Sequence, residues 1–318
     1  MQSLARYLMG TRFELVIADE GEPAHLRAAG EEALDEVERL ERQLSLYRAD
    51  SDISAINARA GKEWVQLDPR LFTLLKRAVH LSRETDGGFD LTVTPLMRAW
   101  GFLGARGAMA AEENLNEARG RVGWRHIELD EERFAIRFDV AGASLDLGAI
   151  GKGYAVEQAM ALLQEAGVKY AILHAGTSTV AALGAPPDRA AWRIAVANPA
   201  EEGKTVATIE LEAGQALSVS GTHGKCFTAP DGTIYGHVLD PRVGRPVIGA
   251  RLAVVVSGSP TDSDALSTAL LVLASDHDPV TFLSEHAATA VWEGASLLVE
   301  SREGAIGARG PAFPSLGT

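Results

Sequence analysis

The segment DLGAIGKGYAVEQA, residues 146–159, joins the end of a strand pattern to the start of a helix pattern. Gly148, Gly151 and Gly153 fall within six residues, so a stiff element is not expected at this junction. We predict instead a tight turn that brings the backbone close to another group, with a helix running on from it.

Lys152 lies between two of these glycines, at the predicted helix start. Helix starts offer free N–H groups and partial positive charge, so a lysine there favours an anion site. Asp146 at the strand end is then available to a ribose hydroxyl or a ring N–H. The alternative is a lysine in solvent and an aspartate that fixes a turn. The pattern is not a P-loop, because its glycine spacing and its Ser/Thr after lysine are missing.

The composition indicates a globular chain of ordinary character. It has 318 residues, 46% apolar and 23% charged, and a net charge of −13. That charge disfavours binding to bare nucleic acid or to an anionic membrane surface, so an anionic ligand needs a local cation or a bridging metal. The single cysteine, Cys226, excludes an internal disulfide and a cysteine-based zinc cluster. No apolar run approaches the ~18 residues that a membrane span requires.

Strand patterns come in runs rather than alternating strictly with helices, which favours an α+β fold. No linker divides the chain, so we predict one unit over residues 1–306 and a loose tail over 307–318. A hairpin is expected around Ala141-Gly142. Helices are predicted over 25–47, 68–88, 153–167 and 261–274.

The segment at 84–102, ETDGGFDLTVTPLMRAWGF, places Phe89 beside Asp90 after two glycines. One interpretation is a platform for a planar ring with a hydrogen-bond acceptor next to it. The other is a strand that enters the core, with Asp90 as a cap.

The segment at 235–247, YGHVLDPRVGRPV, places His237 three residues before an Asp-Pro turn. A histidine there is a candidate general base or phosphate partner. The alternative is an ordinary turn sequence with a structural histidine.

Asp264 and Thr268 are four residues apart in a predicted helix, so both oxygens lie on one face. With a backbone carbonyl and phosphate oxygens they would suit Mg²⁺, which prefers hard oxygen ligands. The alternative is a helix start capped by Asp262, Ser263 or Asp264.

The order of these segments resembles the ApbE family of flavin transferases, from about residue 7 to about residue 300. The motifs that carry the resemblance are MGT (9–11), YRADSDISAIN (47–57), GGFDLTVTPLMRAWGF, LDLGAIGKGYAVEQA, SVSG (218–221), HVLDPRVGRP and DALSTAL.

The resemblance implies an α+β unit of the T-fold type and Mg²⁺-dependent cleavage of FAD. The FMN half would go to a Thr or Ser hydroxyl of an acceptor flavoprotein, and AMP would leave. By motif, the residues implied to contact FAD are Met9, Tyr47, Gly88, Phe89, Asp90, Asp146, Lys152 and Val238. Those implied to hold Mg²⁺ are the Ala149 carbonyl, Asp264 and Thr268. His237 matches the family's signature histidine and is, with Lys152, the implied catalytic group.

Two segments depart from the family pattern. In LHAGTSTVAALG, His174, Thr177 and Ser178 replace an asparagine, a glycine and an aspartate, and in THGKCF the family's tyrosine and arginine are missing. These departures keep open an FAD pyrophosphatase that releases free FMN, or a non-catalytic flavin-binding protein. The compartment expected is the cytoplasm, because residues 1–18 indicate a first strand rather than a leader, and a trimmed periplasmic protein is the alternative.

Overall fold

A large antiparallel sheet forms the frame of the protein. The computed structural model describes residues 1–104, 107–199, 201, 203–222, 224–286, 292–293, 295–301 and 306–313. The strands are β1 (Gln2–Leu8), β2 (Thr11–Ile17), β3 (Val65–Gln66), β4 (Ile127–Asp130), β5 (Ala135–Phe138), β6 (Ala171–Ala175), β7 (Thr179–Leu183), β8 (Trp192–Ala197), β9 (Thr205–Leu211), β10 (Ala216–Gly221), β11 (Cys226–Thr228), β12 (Ile234–Gly236), β13 (Leu239–Asp240), β14 (Arg245–Pro246), β15 (Ala250–Ser257), β16 (Ser296–Ser301) and β17 (Ile306–Arg309).

The helices are α1 (Pro23–Leu44), α2 (Asp52–Arg59), α3 (Pro69–Glu84), α4 (Thr94–Ala99), α5 (Glu112–Arg119), α6 (Gly151–Glu165), α7 (Pro260–Leu273) and α8 (Pro279–His286). The large sheet has the order β1-β2-β6-β7-β10-β15-β16-β17, and its neighbouring strands pair antiparallel. Helices and antiparallel sheets in one unit confirm the α+β prediction. No helix in the described part of the chain has the length and apolar character needed to cross a bilayer.

The two faces of the large sheet bury different partners. Because side chains alternate along a strand, Leu173 of β6 joins the main core with α1, α6 and α7, whereas Ile172 points to the opposite face. There the β8–β9 hairpin covers the sheet, and Ile194 and Ile209 pack against it.

Helices α6 and α7 approach each other closely at Gly153. A Cβ atom at that position would lie 2.2 Å from the Pro260 carbonyl oxygen and 2.7 Å from the Asp264 Cβ. Only glycine fits there, so the third glycine of the opening segment serves helix–helix packing. This contact sets the first turn of α6 against the side chains of α7.

The predicted helices are present, with ends shifted by a few residues at most. The hairpin predicted around Ala141-Gly142 is wrong, because β5 ends at Phe138 and pairs with β4 and β3. The chain after Gly142 is held by a side chain instead of a strand. The Asn57 amide donates to the Leu145 carbonyl at 3.0 Å and accepts from its N–H at 2.6 Å.

The start of the predicted loose tail is ordered. Residues 306–309 form the edge strand β17, which pairs with β16, and Phe313 is buried. The tail prediction is therefore wrong for residues 307–313, because apolar contacts hold this segment on the sheet. Residues 314–318 lie outside the described part of the chain.

Candidate active site

A cavity of about 990 Å³ opens where the starts of α6 and α7 meet the large sheet. Apart from Met9, the predicted site residues line it together: Tyr47, Gly88, Phe89, Asp90, Asp146, Ala149, Lys152, His237, Val238, Asp264 and Thr268. Met9 lies on the β1–β2 turn with φ 50° and packs against the core. Predicted residues from five separate segments therefore converge on one cavity, although their FAD contacts remain predictions.

Asp264 is buried at 3% exposure and faces the first turn of α6. The Gly153 N–H donates to its Oδ2 at 2.8 Å, and the Thr179 hydroxyl donates to its Oδ1 at 3.4 Å. Its own helix is capped by Ser259, whose side chain accepts from the Asp262 N–H. The cap interpretation of Asp264 on α7 is therefore wrong, and the carboxylate serves a neighbouring element.

The hydrogen bond from the Gly153 N–H to Asp264 also frees the backbone carbonyl of Ala149. In a continuous helix this N–H would donate to the carbonyl four residues earlier, which belongs to Ala149. Here it donates to Asp264, and the Ala149 carbonyl is left for another partner. Thr268 lies one turn beyond Asp264 and shares a hydrogen bond of 3.0 Å with the Ser220 hydroxyl.

This oxygen set fits a small divalent cation. Among the described residues, no side-chain cation pairs with this buried carboxylate, which two neutral donors hold, and Thr268 and Ala149 line the same cavity. Across the residues described, no three or more His, Cys, Asp and Glu side chains cluster as a metal site. A cation here would thus have one charged protein ligand, with other oxygens completing its shell.

The turn before α6 is tied by its own side chains. The Lys152 ammonium donates to the Gly148 carbonyl at 3.0 Å, and the Gly148 N–H donates to Asp146 Oδ1 at 2.7 Å. Burial raises the pKa of Asp146, although the Gly148 N–H and the ammonium groups of Lys152 and Lys225 oppose the shift. These residues therefore fix a turn and also line the cavity, while an anion site at Lys152 stays a prediction.

Lys225 is a cavity residue that the motif comparison did not assign. Its ammonium lies 5.7 Å from the centroid of the Tyr47 ring, which is 66% exposed. Partial burial of its phenol nevertheless raises the pKa of Tyr47, and the Asp146 carboxylate adds to that rise. The only sequence signal was the departure in THGKCF, whose His223 lies outside the described residues.

Phe89 and Asp90 are more buried than a ring platform requires. Phe89 is 2% exposed within the main core. Asp90 Oδ1 accepts from the Thr92 N–H and hydroxyl at 2.8 and 2.6 Å, and its Oδ2 accepts from the Trp124 N–H at 2.8 Å. This geometry favours the capping interpretation of Asp90, while both residues still border the cavity.

His237 follows the β11–β12 hairpin, whose base flanks the cavity. A ring stack that includes Phe227 and Tyr235, with centroids 5.5 Å apart, anchors the hairpin against the body. A Cβ on Gly224, which has φ 133°, would lie 3.3 Å from the His237 Cε1. Glycine here thus leaves space beside the imidazole. The following Asp240 forms an ordinary turn, paired with Arg242 at 2.7 Å.

A second arm of the cavity runs beneath the β8–β9 hairpin and is largely apolar. Its lining includes Ile172, Val180, Trp192, Ile194, Val196, Leu217 and Leu252. His174, Thr177 and Ser178, the residues that depart from the family pattern, also line the cavity, and burial lowers the pKa of His174. Sequence reasoning missed this arm, because it is built by strands that lie far apart in the chain.

Comparison with known proteins connects this cavity to a family. The family model described as "ApbE family" matches residues 9–291. An FAD:protein FMN transferase from Vibrio cholerae is 29% identical over 243 residues, covering 76% of this chain and 72% of the relative. One from Treponema pallidum is 28% identical over 285 residues, covering 85% and 78%.

Solved structures agree with this match. The ApbE protein from Thermotoga maritima superposes with a TM-score of 0.88 at 28% identity, covering 100% of this chain and 99% of that one. The apo flavinyl transferase ApbE from Pseudomonas stutzeri gives a TM-score of 0.82 at 29% identity, covering 99% and 96%. The architecture predicted from the motif order is thereby confirmed.

Proposed function

The chain belongs to the ApbE family, and we propose on that basis that it is an FAD:protein FMN transferase. It would cleave FAD and attach the FMN moiety to a Thr or Ser hydroxyl of an acceptor flavoprotein. The observation that carries the proposal is the convergence of Asp264, Lys152 and His237 on one cavity.

The reaction assigns a task to each of these groups. The acceptor hydroxyl oxygen attacks the phosphorus of the FMN half, and the bond from that phosphorus to the bridging oxygen breaks. The electron pair leaves with AMP, and His237 takes up the hydroxyl proton. Lys152 offsets the negative charge that grows on the leaving phosphate.

We propose Mg²⁺ as the cation for the oxygen set of Asp264, Thr268 and the Ala149 carbonyl. When bound, Mg²⁺ would stabilise charge on the pyrophosphate oxygens and orient them. The protein contributes a carboxylate that is already fixed by the Gly153 N–H, so its position requires no rearrangement. The buried charge of Asp264 also argues against a non-catalytic flavin-binding protein, since flavin binding alone needs no metal ligand.

Transfer and hydrolysis of FAD are distinguished by their products. The protein is incubated with FAD, Mg²⁺ and a candidate acceptor flavoprotein, and the acceptor is weighed by mass spectrometry. A gain equal to one FMN moiety, with AMP released, supports the transferase. Free FMN and an unmodified acceptor would support the pyrophosphatase, and neither product would contradict both.

A further inference from the structure

A second cavity of about 270 Å³ lies behind one wall of the large one. Its lining residues are Leu46, Ser54, Asn57, Arg98, Gly142, Ala143 and Ser144. Three segments line both cavities, through the pairs Leu46 and Tyr47, Met97 and Arg98, and Ser144 and Asp146. The same three segments therefore contribute residues to both cavities.

Arg98 gives this cavity a positive charge that the described residues leave uncompensated. Its guanidinium has no ion pair and no hydrogen bond within the described ranges, whereas nearby Arg119 and Arg121 pair with Glu112 and Glu117. A guanidinium presents several N–H donors in a planar fork, which matches the oxygens of a phosphate or carboxylate. Arg98 is exposed, so its guanidinium is open to solvent and accessible to a dissolved anion.

Ser144 supplies an independent sign that a ligand is missing. It is 6% exposed, and its hydroxyl has no hydrogen-bond partner in the part of the chain described. Buried polar groups without a partner are rare, because they lose their bonds to water without replacement. The hydroxyl and the guanidinium are both donors, so an acceptor-rich group would satisfy the two together.

We propose that the second cavity binds one oxyanion, a phosphate or a carboxylate group, through Arg98 and Ser144. Its volume far exceeds the ~10–15 Å³ that one water requires, so a tetrahedral or planar anion fits. The anion is either free in solution or a carboxylate on the acceptor protein. The second source rests on the proposed transferase function, and the first does not.

The second cavity and the large cavity share the backbone segment at residues 144–146. Asn57 holds both backbone groups of Leu145, the residue between Ser144 and Asp146. Ser144 faces the second cavity and Asp146 faces the first. An anion on Ser144 therefore acts on a rigid segment whose next side chain lines the FAD cavity.

Calorimetric titration with inorganic phosphate, without metal or FAD, tests the site directly. Wild type should bind phosphate in a saturable manner, and Arg98→Gln should weaken binding at least about 10-fold, as expected for a charged hydrogen bond. Ser144→Ala should weaken it about 5-fold. Arg133→Gln is the matched charge control, because Arg133 is exposed on the β4–β5 turn.

Lys152→Met separates this site from the large cavity. If phosphate binding survives that variant and is lost in Arg98→Gln, the second cavity holds the anion. If Arg98→Gln, checked for folding by circular dichroism, binds phosphate like wild type, the proposal is wrong. Loss in Lys152→Met alone would overturn it equally, because the ion would then occupy the large cavity.

Transfer kinetics identify the source of the anion. If the acceptor supplies a carboxylate, Arg98→Gln raises the KM for acceptor but not for FAD, and phosphate competes with acceptor. If the anion is free, the KM for acceptor is unchanged in that variant. A failure of FMN transfer would refute the proposed function and leave the calorimetric result standing.

Discussion

Replacement of Asp264 by asparagine tests the cation site without disturbing its surroundings. The amide oxygen still accepts the Gly153 N–H, which lies 2.8 Å from Asp264 Oδ2, so the helix start keeps its bond. We expect this variant, free of metal, to unfold within about 1 kcal/mol of wild type, as for exchange of one hydrogen bond. Asp264→Ala should lose about 1–3 kcal/mol, because the buried N–H is then left without an acceptor.

The metal response should differ far more than the stability. At a Mg²⁺ concentration of about 100 times Kd, binding stabilises wild type by ~2.7 kcal/mol. At ~2 °C per kcal/mol, that raises Tm by roughly 5 °C. Substitution of a residue that only hydrogen-bonds a metal ligand already lowers metal affinity 10–100-fold, so loss of a charged ligand should lower it at least about 100-fold. The same Mg²⁺ then stabilises Asp264→Asn by only ~0.4 kcal/mol, which is under about 1 °C.

Thermal unfolding with and without Mg²⁺ measures this difference, and FAD cleavage is assayed in parallel. Asp264→Asn should lose both the shift in Tm and the Mg²⁺-dependent cleavage, while FAD titration remains close to wild type. If the variant keeps the wild-type shift and the wild-type turnover, Asp264 serves only the start of α6. The reasoning about the cation would then be refuted.

Four further outcomes are expected. Thr268→Ala should reduce cleavage less than Asp264→Asn in the same assay, because water can replace a hydroxyl ligand. His237→Asn should lower turnover about 100-fold or more if the imidazole is the base. Wild-type turnover in this variant would show that His237 has a structural role only. Phe89→Leu should weaken FAD binding while the protein stays folded. Leucine is chosen because truncation of a buried Phe to Ala costs ~3–5 kcal/mol of stability. An unchanged FAD titration would contradict the contact between Phe89 and the flavin ring. Because burial raises the pKa of Asp146 in the folded protein, its contribution to stability is present below the ordinary carboxyl pKa and is lost as pH rises through the raised value. Asp146→Asn should therefore flatten that part of the curve of Tm against pH. An unchanged curve would contradict the burial argument.

The parts of the site that sequence could predict are those set by local geometry. Asp264 and Thr268 fall on one helix face by spacing alone, and the glycines around Lys152 indicate a turn before any contact is known. The Gly153–Asp264 hydrogen bond joins residues 111 apart, and no periodicity encodes it. The apolar arm beneath β8 is likewise a product of strand order.

The errors have the same physical origin. The segment after Ala141-Gly142 has the composition of a strand, but the Asn57 amide satisfies its backbone in place of a neighbouring strand. The sequence also does not indicate that Phe89 is 2% exposed, because the burial of a residue after two glycines depends on what packs over it; its contact with FAD stays a prediction. The ordered segment at 307–313 depends on the β16 edge, which lies outside its own local sequence.

The contact at Gly153 also bears on how this fold can change over evolutionary time. A single methyl group there would collide with the Pro260 carbonyl and with Asp264, so even substitution by alanine is not tolerated at this position. Helices α6 and α7 are locked at one separation, and neither can slide without carrying the carboxylate with it. The distance between the two helix starts, and with it the position of the Asp264 carboxylate, is therefore expected to stay fixed as other parts of the cavity change.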